Sequence, residues 1–452
     1  MAINTLTRDD FAVKLNEVLS ASVPIRSVEH LIGRSDELET IDRALYQSGR
    51  HIFIYGDRGV GKSSLGATAA YQYQSADAEP IFVSGSIDDT FNSIMANIAN
   101  QAIGRSRIEK TSKTSNRGFD WRGISFNAGM EVSAIDIISQ ISSIGDAAEL
   151  LKQVAIVHSA KPIVVIDEFD AIIDQAERNR FAGLLKMLGD QSVNLKFIFT
   201  GVGKSLDDLL GAHQSAFRQL ETVQLFRLGW DARREIVDIA CASMGVEVDK
   251  NVNYRIAIVS DGFPYYVHLI AEKMLWEAFT DQSEVEKVGF DHYHLGLRVA
   301  ISSVTAELKK PYSKAVIHRD EIYQTIVWST ADGDNIDRPT KDMYESFKVI
   351  ILKTENPQNI TQAKFGEYIR KLKSAAFGEI LLPIQGRSGW YTYKEKMLRG
   401  YIRMQAEANG IELYGEREAP RQKMHVAGNQ RTGYRGPSIP KGVRLKNDSE
   451  KS

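Results

Sequence analysis

The chain has 452 residues, 43% of them hydrophobic, and a formal net charge of −2. That length predicts two to four domains with real cores, and the balanced charge excludes a global polyanion-binding signal, leaving only local patches for nucleic acid. A single cysteine, Cys241, excludes a disulfide framework and a cysteine-based zinc site, fits a reducing compartment, and reads as a core residue of an apolar helix. With no run of about 18 apolar residues and no charged-then-apolar leader, the expectation is a cytoplasmic protein without membrane spans.

The first thirty residues read as a mixed, partly helical extension that ends in the extended segment Pro24-Ile25-Arg26-Ser27. Leu31 to Leu38 then leads into a helix with apolar positions Leu38, Ile41 and Leu45. His51 to Tyr55 is an apolar strand, and Gly56-Asp57-Arg58-Gly59-Val60-Gly61-Lys62-Ser63 after it is a complete phosphate-binding loop. Glycines there let backbone N–H groups crowd around phosphates, Lys62 reaches the β and γ phosphates, and Ser63 offers a hydroxyl to Mg²⁺. The helix predicted from Ser63 to about Gln74 aims its positive dipole end at the same anion, which adds Ser64 to the candidate contacts.

A strand at Pro80 to Val83 and an amphipathic helix at Thr90 to Ile103 follow, and then residues 104–133 break the pattern. This insertion is basic, with Arg105, Arg107, Lys110, Lys113, Arg117 and Arg122 in turn-prone surroundings. Helices return from Ile135 to His158, and Pro162 to Ile166 is a buried strand ending in Asp167-Glu168-Phe169-Asp170. A carboxylate at the C-terminal edge of such a strand faces the phosphate loop, so Asp167 is the candidate Mg²⁺ ligand. Glu168, one residue on, is placed to orient or deprotonate an attacking water. Thr200 ends the next strand, Lys196 to Phe199, and is a sensor candidate for the γ-phosphate or that water.

Gly201-Val202-Gly203-Lys204-Ser205 imitates a second phosphate loop but has Ile198 where the first glycine is required. It reads as the turn and N-cap of a helix at Leu206 to Leu210. His213 reads as a turn or capping residue. Arg218, just before the strand Thr222 to Leu225, is placed to reach a neighbouring subunit's ATP, and serves equally well as a surface ion pair. Short helices from Trp230 to Trp276 form a lid in which Pro264 starts the helix Val267 to Phe279. Its rigid backbone and the adjacent rings suit packing on a base or ribose, or a plain helix start.

From about 295 to 415 the order is helix, helix, helix, hairpin. A break at Pro311, helices through Trp328, at Tyr344 to Thr354 and at Thr361 to Phe377, and a hairpin of Ile380 to Ile384 with Trp390 to Tyr393 make a winged-helix-like α+β domain. Its third helix carries Lys364, Arg370, Lys371 and Lys373, a surface for a DNA major groove or simply a solvated face. The tail from Glu416 has nine basic residues against four acidic ones and few large apolar residues, which predicts a disordered, basic segment able to add sequence-independent nucleic-acid affinity.

Gly33-Arg34-Ser35-Asp36-Glu37-Leu38, the phosphate loop, Val165 to Asp170, Thr200, Arg218 and Gly262-Phe263-Pro264 stand in the order seen in AAA+ ATPases. Over residues 30–280 the chain resembles the origin-recognition initiator ATPases and the related STAND signalling ATPases. The resemblance implies an α/β core with a parallel sheet of order 5-1-4-3-2, a helical lid, ATP and Mg²⁺ between them, and oligomeric assembly governed by nucleotide. It implies Lys62 and Ser63 on phosphate and Mg²⁺, Asp167 on Mg²⁺, Glu168 activating water, Thr200 sensing, and Arg218 as the finger. Gly262-Phe263-Pro264 departs from the initiators, whose second sensor carries an arginine. The function expected is an ATP-hydrolysing switch acting on DNA or a partner protein. A signalling or antiviral-defence ATPase without a DNA role, and a non-catalytic ATP-binding scaffold, are the alternatives.

Overall fold

Five parallel strands form the centre of the protein: β1 (His51–Gly56), β2 (Ile81–Ser84), β5 (Ile163–Asp167), β6 (Lys196–Gly201) and β7 (Leu220–Leu225). The structure is a computed structural model that describes residues 3–21, 23–104, 118–127, 132–203 and 218–413. In space the order is β2-β5-β6-β1-β7, which numbers 2-3-4-1-5 among the core strands and is the order expected. Alternate residues explain why both sheet faces are covered. Ile52, Ile54, Val165 and Ile198 join one core, whereas Phe53, Val164, Ile166, Phe197 and Phe199 join the other. Such apolar runs can sit only inside a sheet with helices on both sides.

Parallel strands place all their C-terminal ends on one edge, and that edge collects the loop after Gly56, Asp167 and Thr200. Helices Lys62–Tyr73, Phe91–Gly104, Ile144–His158 and Gln175–Asp190 make the crossovers. Within the basic insertion, β3 (Gly118–Trp121) and β4 (Ile124–Asn127) pair as a hairpin whose turn holds Arg122 against Asp146. The insertion's other basic residues, 105–117, lie outside the described residues, as do the helix expected at 206–210, His213, and the tail from Glu416.

Beyond the core, helices Trp230–Ser243, Lys250–Val259 and Pro264–Thr280 build the lid, with β8 (Glu247–Val248) and β9 (Lys287–Val288) as a short parallel pair. The N-terminal extension packs on this lid. Phe11 lies 4.3 Å from the Phe279 ring and 4.7 Å from that of Trp276, and Asn4 donates to the carbonyl of Asp281 at 2.9 Å.

The C-terminal region runs helix Phe290–Ser303, helix Ala306–Val316, helix Ile322–Ala331, β10 (Arg338–Pro339), helices Thr340–Ile351 and Gln362–Lys371, β11 (Leu381–Pro383), β12 (Trp390–Tyr393) and helix Met397–Ala408. The three strands pair antiparallel in the order β10-β12-β11. Pro311 does not break the chain as expected; it lies inside Ala306–Val316. Gly378, at φ +79°, lets the returning chain approach this helix so closely that a Cβ there would stand 2.3 Å from the Pro311 carbonyl. The helix thus carries an internal proline, with the chain at Gly378 packed against its carbonyl. Lys373 also departs from expectation, because its helix ends at Lys371. One hydrophobic core runs without interruption from Ile3 through the lid to Leu413.

Candidate functional site

The loop between β1 and its helix turns back on itself because three of its residues are glycines with positive φ: Gly56 at 158°, Gly59 at 78° and Gly61 at 95°. At Gly61 the left-handed conformation starts the helix without a side-chain cap, a helix start of the kind that suits an anion. At Gly59 the Met397 side chain packs directly on the backbone: a Cβ there would lie 2.4 Å from its Sδ. Lys62 folds onto the loop, its Nζ donating to the carbonyls of Gly56 at 3.1 Å and Asp57 at 2.9 Å. Burial pulls its pKa below the usual lysine value against the opposing pull of Asp170, Asp167, Asp57 and Glu168.

Facing it, the Ser63 hydroxyl donates to Oδ1 of Asp167 at 3.0 Å. Thr200 donates to the same oxygen and accepts the Glu168 N–H at 3.2 Å. Thr200 is thereby drawn into the carboxylate cluster, in the strand between β5 and β1. Glu168 is exposed and left-handed, at φ 52°, a conformation that turns it out of the strand line. Strain of that kind at a non-glycine residue is characteristic of functional turns.

These residues line a cleft of about 600 Å³. Arg58, Gly59, Val60, Gly61, Lys62, Ser63, Ser64, Asp167, Glu168 and Thr200 form its polar end, and Pro264 is in its wall. Gly56 and Asp57 instead stand behind it as acceptors for Lys62. Ser64 has a second task, accepting the N–H of Ile25 at 3.1 Å and so tying the N-terminal segment to the phosphate loop. Arg218 is exposed at the N-terminal end of β7, the sheet edge opposite the cleft, and does not reach its own chain's site.

Several cleft residues escaped sequence reasoning. Val23 and Ile25 of the extension, Leu31 and Ile32 just after it, His268 of the lid, and Glu395 of the C-terminal region all line it, as does Tyr265, one of the rings expected beside Pro264. Arg34, 5% exposed, donates to the carbonyls of Val60 at 2.9 Å and Phe226 at 2.6 Å, clamping the loop to the end of β7. The sequence marked Arg34 only as part of the Gly33 to Leu38 motif, which also holds Glu37, its ion-pair partner at 3.1 Å. Lys396 pairs with both oxygens of Asp57, at 2.8 and 3.0 Å, and Tyr266 donates to the Met397 carbonyl at 2.9 Å. No local pattern marks these long-range contacts.

Just before Gly262, Asp261 is buried among arginines of three regions. Arg227 of the core lies at 2.7 Å, Arg399 at 3.1 Å and Arg403 at 3.3 Å, the last two from the final helix. Burial alone would raise its carboxyl, but the Arg399, Arg403, Arg227 and Arg233 guanidiniums hold it below the usual aspartate value.

A sharp Gly-rich loop, an Asp-Glu strand end and a polar residue on the intervening strand are the geometry of a P-loop nucleotide site. Residues 30–198 match the family model described as the AAA ATPase domain. Over that stretch the chain is similar to an AAA ATPase domain. No curated protein matches the chain. Among solved structures, it is similar to the Walker-type ATPase PABY2304 of Pyrococcus abyssi, at 15% identity and a TM-score of 0.50, over 84% of this chain and 98% of that one. That likeness is one of fold. The Aeropyrum pernix ORC2 protein (12% identity, TM-score 0.47, 87% and 98% covered) and ORC1 protein in complex with DNA (13%, 0.42, 84% and 93%) also match. Among the described residues, no helix is long and apolar enough to cross a membrane.

Proposed function

We propose that the protein is an ATP-binding and ATP-hydrolysing switch of AAA+/STAND type. The observation that carries this reading is the Ser63, Asp167 and Thr200 cluster facing Lys62 at the mouth of the phosphate loop, in a cleft large enough for a nucleoside triphosphate. The donor set fits Mg²⁺: a hydroxyl and a carboxylate 3.0 Å apart at a helix N-terminus, beside backbone N–H groups that fit phosphate. Bound there by Ser63 and Asp167, Mg²⁺ would supply charge neutralisation at the phosphate oxygens. Lys62 exchanges its two carbonyl partners for phosphate oxygens. Glu168 takes the proton of the attacking water, and Thr200 holds Asp167 and the Glu168 backbone in place. Arg218 is reserved for the site of a neighbouring subunit.

The switch itself lies in what the C-terminal region touches. Lys396 grips Asp57, Arg58 pairs with Glu307 at 2.8 Å, and Met397 covers Gly59, so a change in the phosphate loop reaches the C-terminal region directly. That region has winged-helix order, and a DNA role through Lys364, Arg370, Lys371 and Lys373 is one output. A protein partner, as in a signalling or defence ATPase, is favoured by the partners those lysines already have. Lys364 pairs with Glu367 at 2.8 Å, and Lys371 lies over the Tyr368 ring at 5.5 Å.

Phosphate release by the full chain tests the enzyme claim. Wild type is expected to turn over ATP, and Glu168→Gln to lose on the order of 100-fold in rate while still binding ATP. Equal, negligible rates in both leave the non-catalytic scaffold. Duplex DNA titrated at several salt concentrations separates the outputs, since a basic interface weakens steeply with salt and a protein-binding one shows no DNA affinity even at low salt.

A further inference from the structure

We propose that His268 selects the base of the bound nucleotide, its Nε2–H donating to N1 of adenine and rejecting guanine, which carries a hydrogen at N1. The inference rests on the ATP-site reading and deepens it. Because the lid helix begins at Pro264, residues 264, 265 and 268 share one face, and all three line the cleft. His268 is 3% exposed, and its Nδ1 accepts the backbone N–H of Ser20 at 3.2 Å.

That bond fixes the tautomer: with Nδ1 an acceptor, the ring proton sits on Nε2. Among the described residues, Nε2 has no hydrogen-bond partner. In a ring only 3% exposed and lining the cleft, that N–H has little water to donate to and is available to a ligand. Burial pulls the imidazole pKa down to about 4, which keeps the ring neutral and limited to a single donor near neutral pH.

The surroundings suit a flat heterocycle. Val23, Ile25, Leu31, Leu228 and Ile236 line the cleft with His268, while the charged residues gather at the phosphate end. In such a site a lone N–H donor discriminates at one purine atom. N3 and N7 accept in both adenine and guanine, but N1 accepts only in adenine. Guanine would set two donors against each other where little water can satisfy either, and sites built around one hydrogen bond reject an analogue that cannot complete it.

Affinities of the full chain for ATP, GTP, 1-deaza-ATP and inorganic tripolyphosphate test this. Wild type is expected to bind ATP about 10- to 100-fold more tightly than GTP or 1-deaza-ATP, the range for one buried donor left unpaired. His268→Ala should bring ATP and GTP within about threefold of each other, with tripolyphosphate affinity unchanged as the sign that the phosphate end is folded. His268→Gln, which still offers an N–H, should recover part of the preference. Wild type binding 1-deaza-ATP as tightly as ATP overturns the proposal without any substitution, and so does a preference for ATP that survives in His268→Ala. Failure of wild type to bind both ATP and tripolyphosphate instead overturns the nucleotide-site reading beneath it.

Discussion

The two ends of the cleft are built in opposite ways. At the phosphate end one stretch of eight residues, Gly56 to Ser63, supplies most of the contacts, and two strand ends supply the rest. At the other end the walls come from the N-terminal extension and the lid. A local motif supplies the residues of the first, with Arg34 and Lys396 bracing the loop from elsewhere in the chain. Assembly makes the second, which therefore depends on contacts across hundreds of positions in sequence. The lesson is that the phosphate end should survive damage that opens the assembled end.

The largest break in that contrast is expected at Asp261. Asp261→Asn removes the only carboxylate that Arg227, Arg399 and Arg403 share in the contacts above, leaving buried guanidiniums uncompensated. Thermal or denaturant unfolding should show a loss of about 3–5 kcal/mol, together with greater proteolytic access to the C-terminal region. Phe11→Ala, which deletes a ring fully buried between Trp276 and Phe279, should cost about 3 kcal/mol. It should weaken ATP more than tripolyphosphate, because Val23 and Ile25 of the extension line the apolar part of the cleft.

Acid titration sharpens the same contrast. Burial pulls His51, in the core strand beside the phosphate loop, down to about 3, and His268, at the assembled end, down to about 4, from 6.5. Below that value the unfolded chain binds protons that these folded sites refuse. Their contribution is therefore complete above pH 6.5 and lost as pH falls, at on the order of 1 kcal/mol per pH unit for each histidine. Unfolding measured between pH 7 and 5 should show this slope, reduced in His268→Gln. The smallest effect is expected for Arg58→Ala: its ion pair with Glu307 is about two-thirds exposed on both sides and should change stability by less than about 0.5 kcal/mol.

Sequence reading went furthest where chemistry is local. The β1 strand, the glycine turn, Lys62, Ser63, and the Asp167-Glu168 strand end follow from residue types at fixed spacing, and the sheet order followed from the family resemblance those motifs carried. The lid helix start at Pro264 was equally visible, since proline at the first position is a short-range signal. What stayed hidden was distant pairing. Nothing beside Lys396 announces Asp57, and nothing beside Ser20 announces His268. Pro311 misled for the same reason, because the close approach of Gly378 that accompanies its helix lies 67 positions away in the chain as numbered.

The central claim is that one nucleotide occupies the whole cleft, held at its phosphates by Lys62. Calorimetric titration of the full chain with ATP in the presence of Mg²⁺ tests it most directly. The account predicts one ATP per chain in wild type and, in Lys62→Ala, affinities for both ATP and tripolyphosphate weakened on the order of 100-fold with the fold intact. Unchanged ATP affinity in Lys62→Ala, or no binding by wild type, would contradict it.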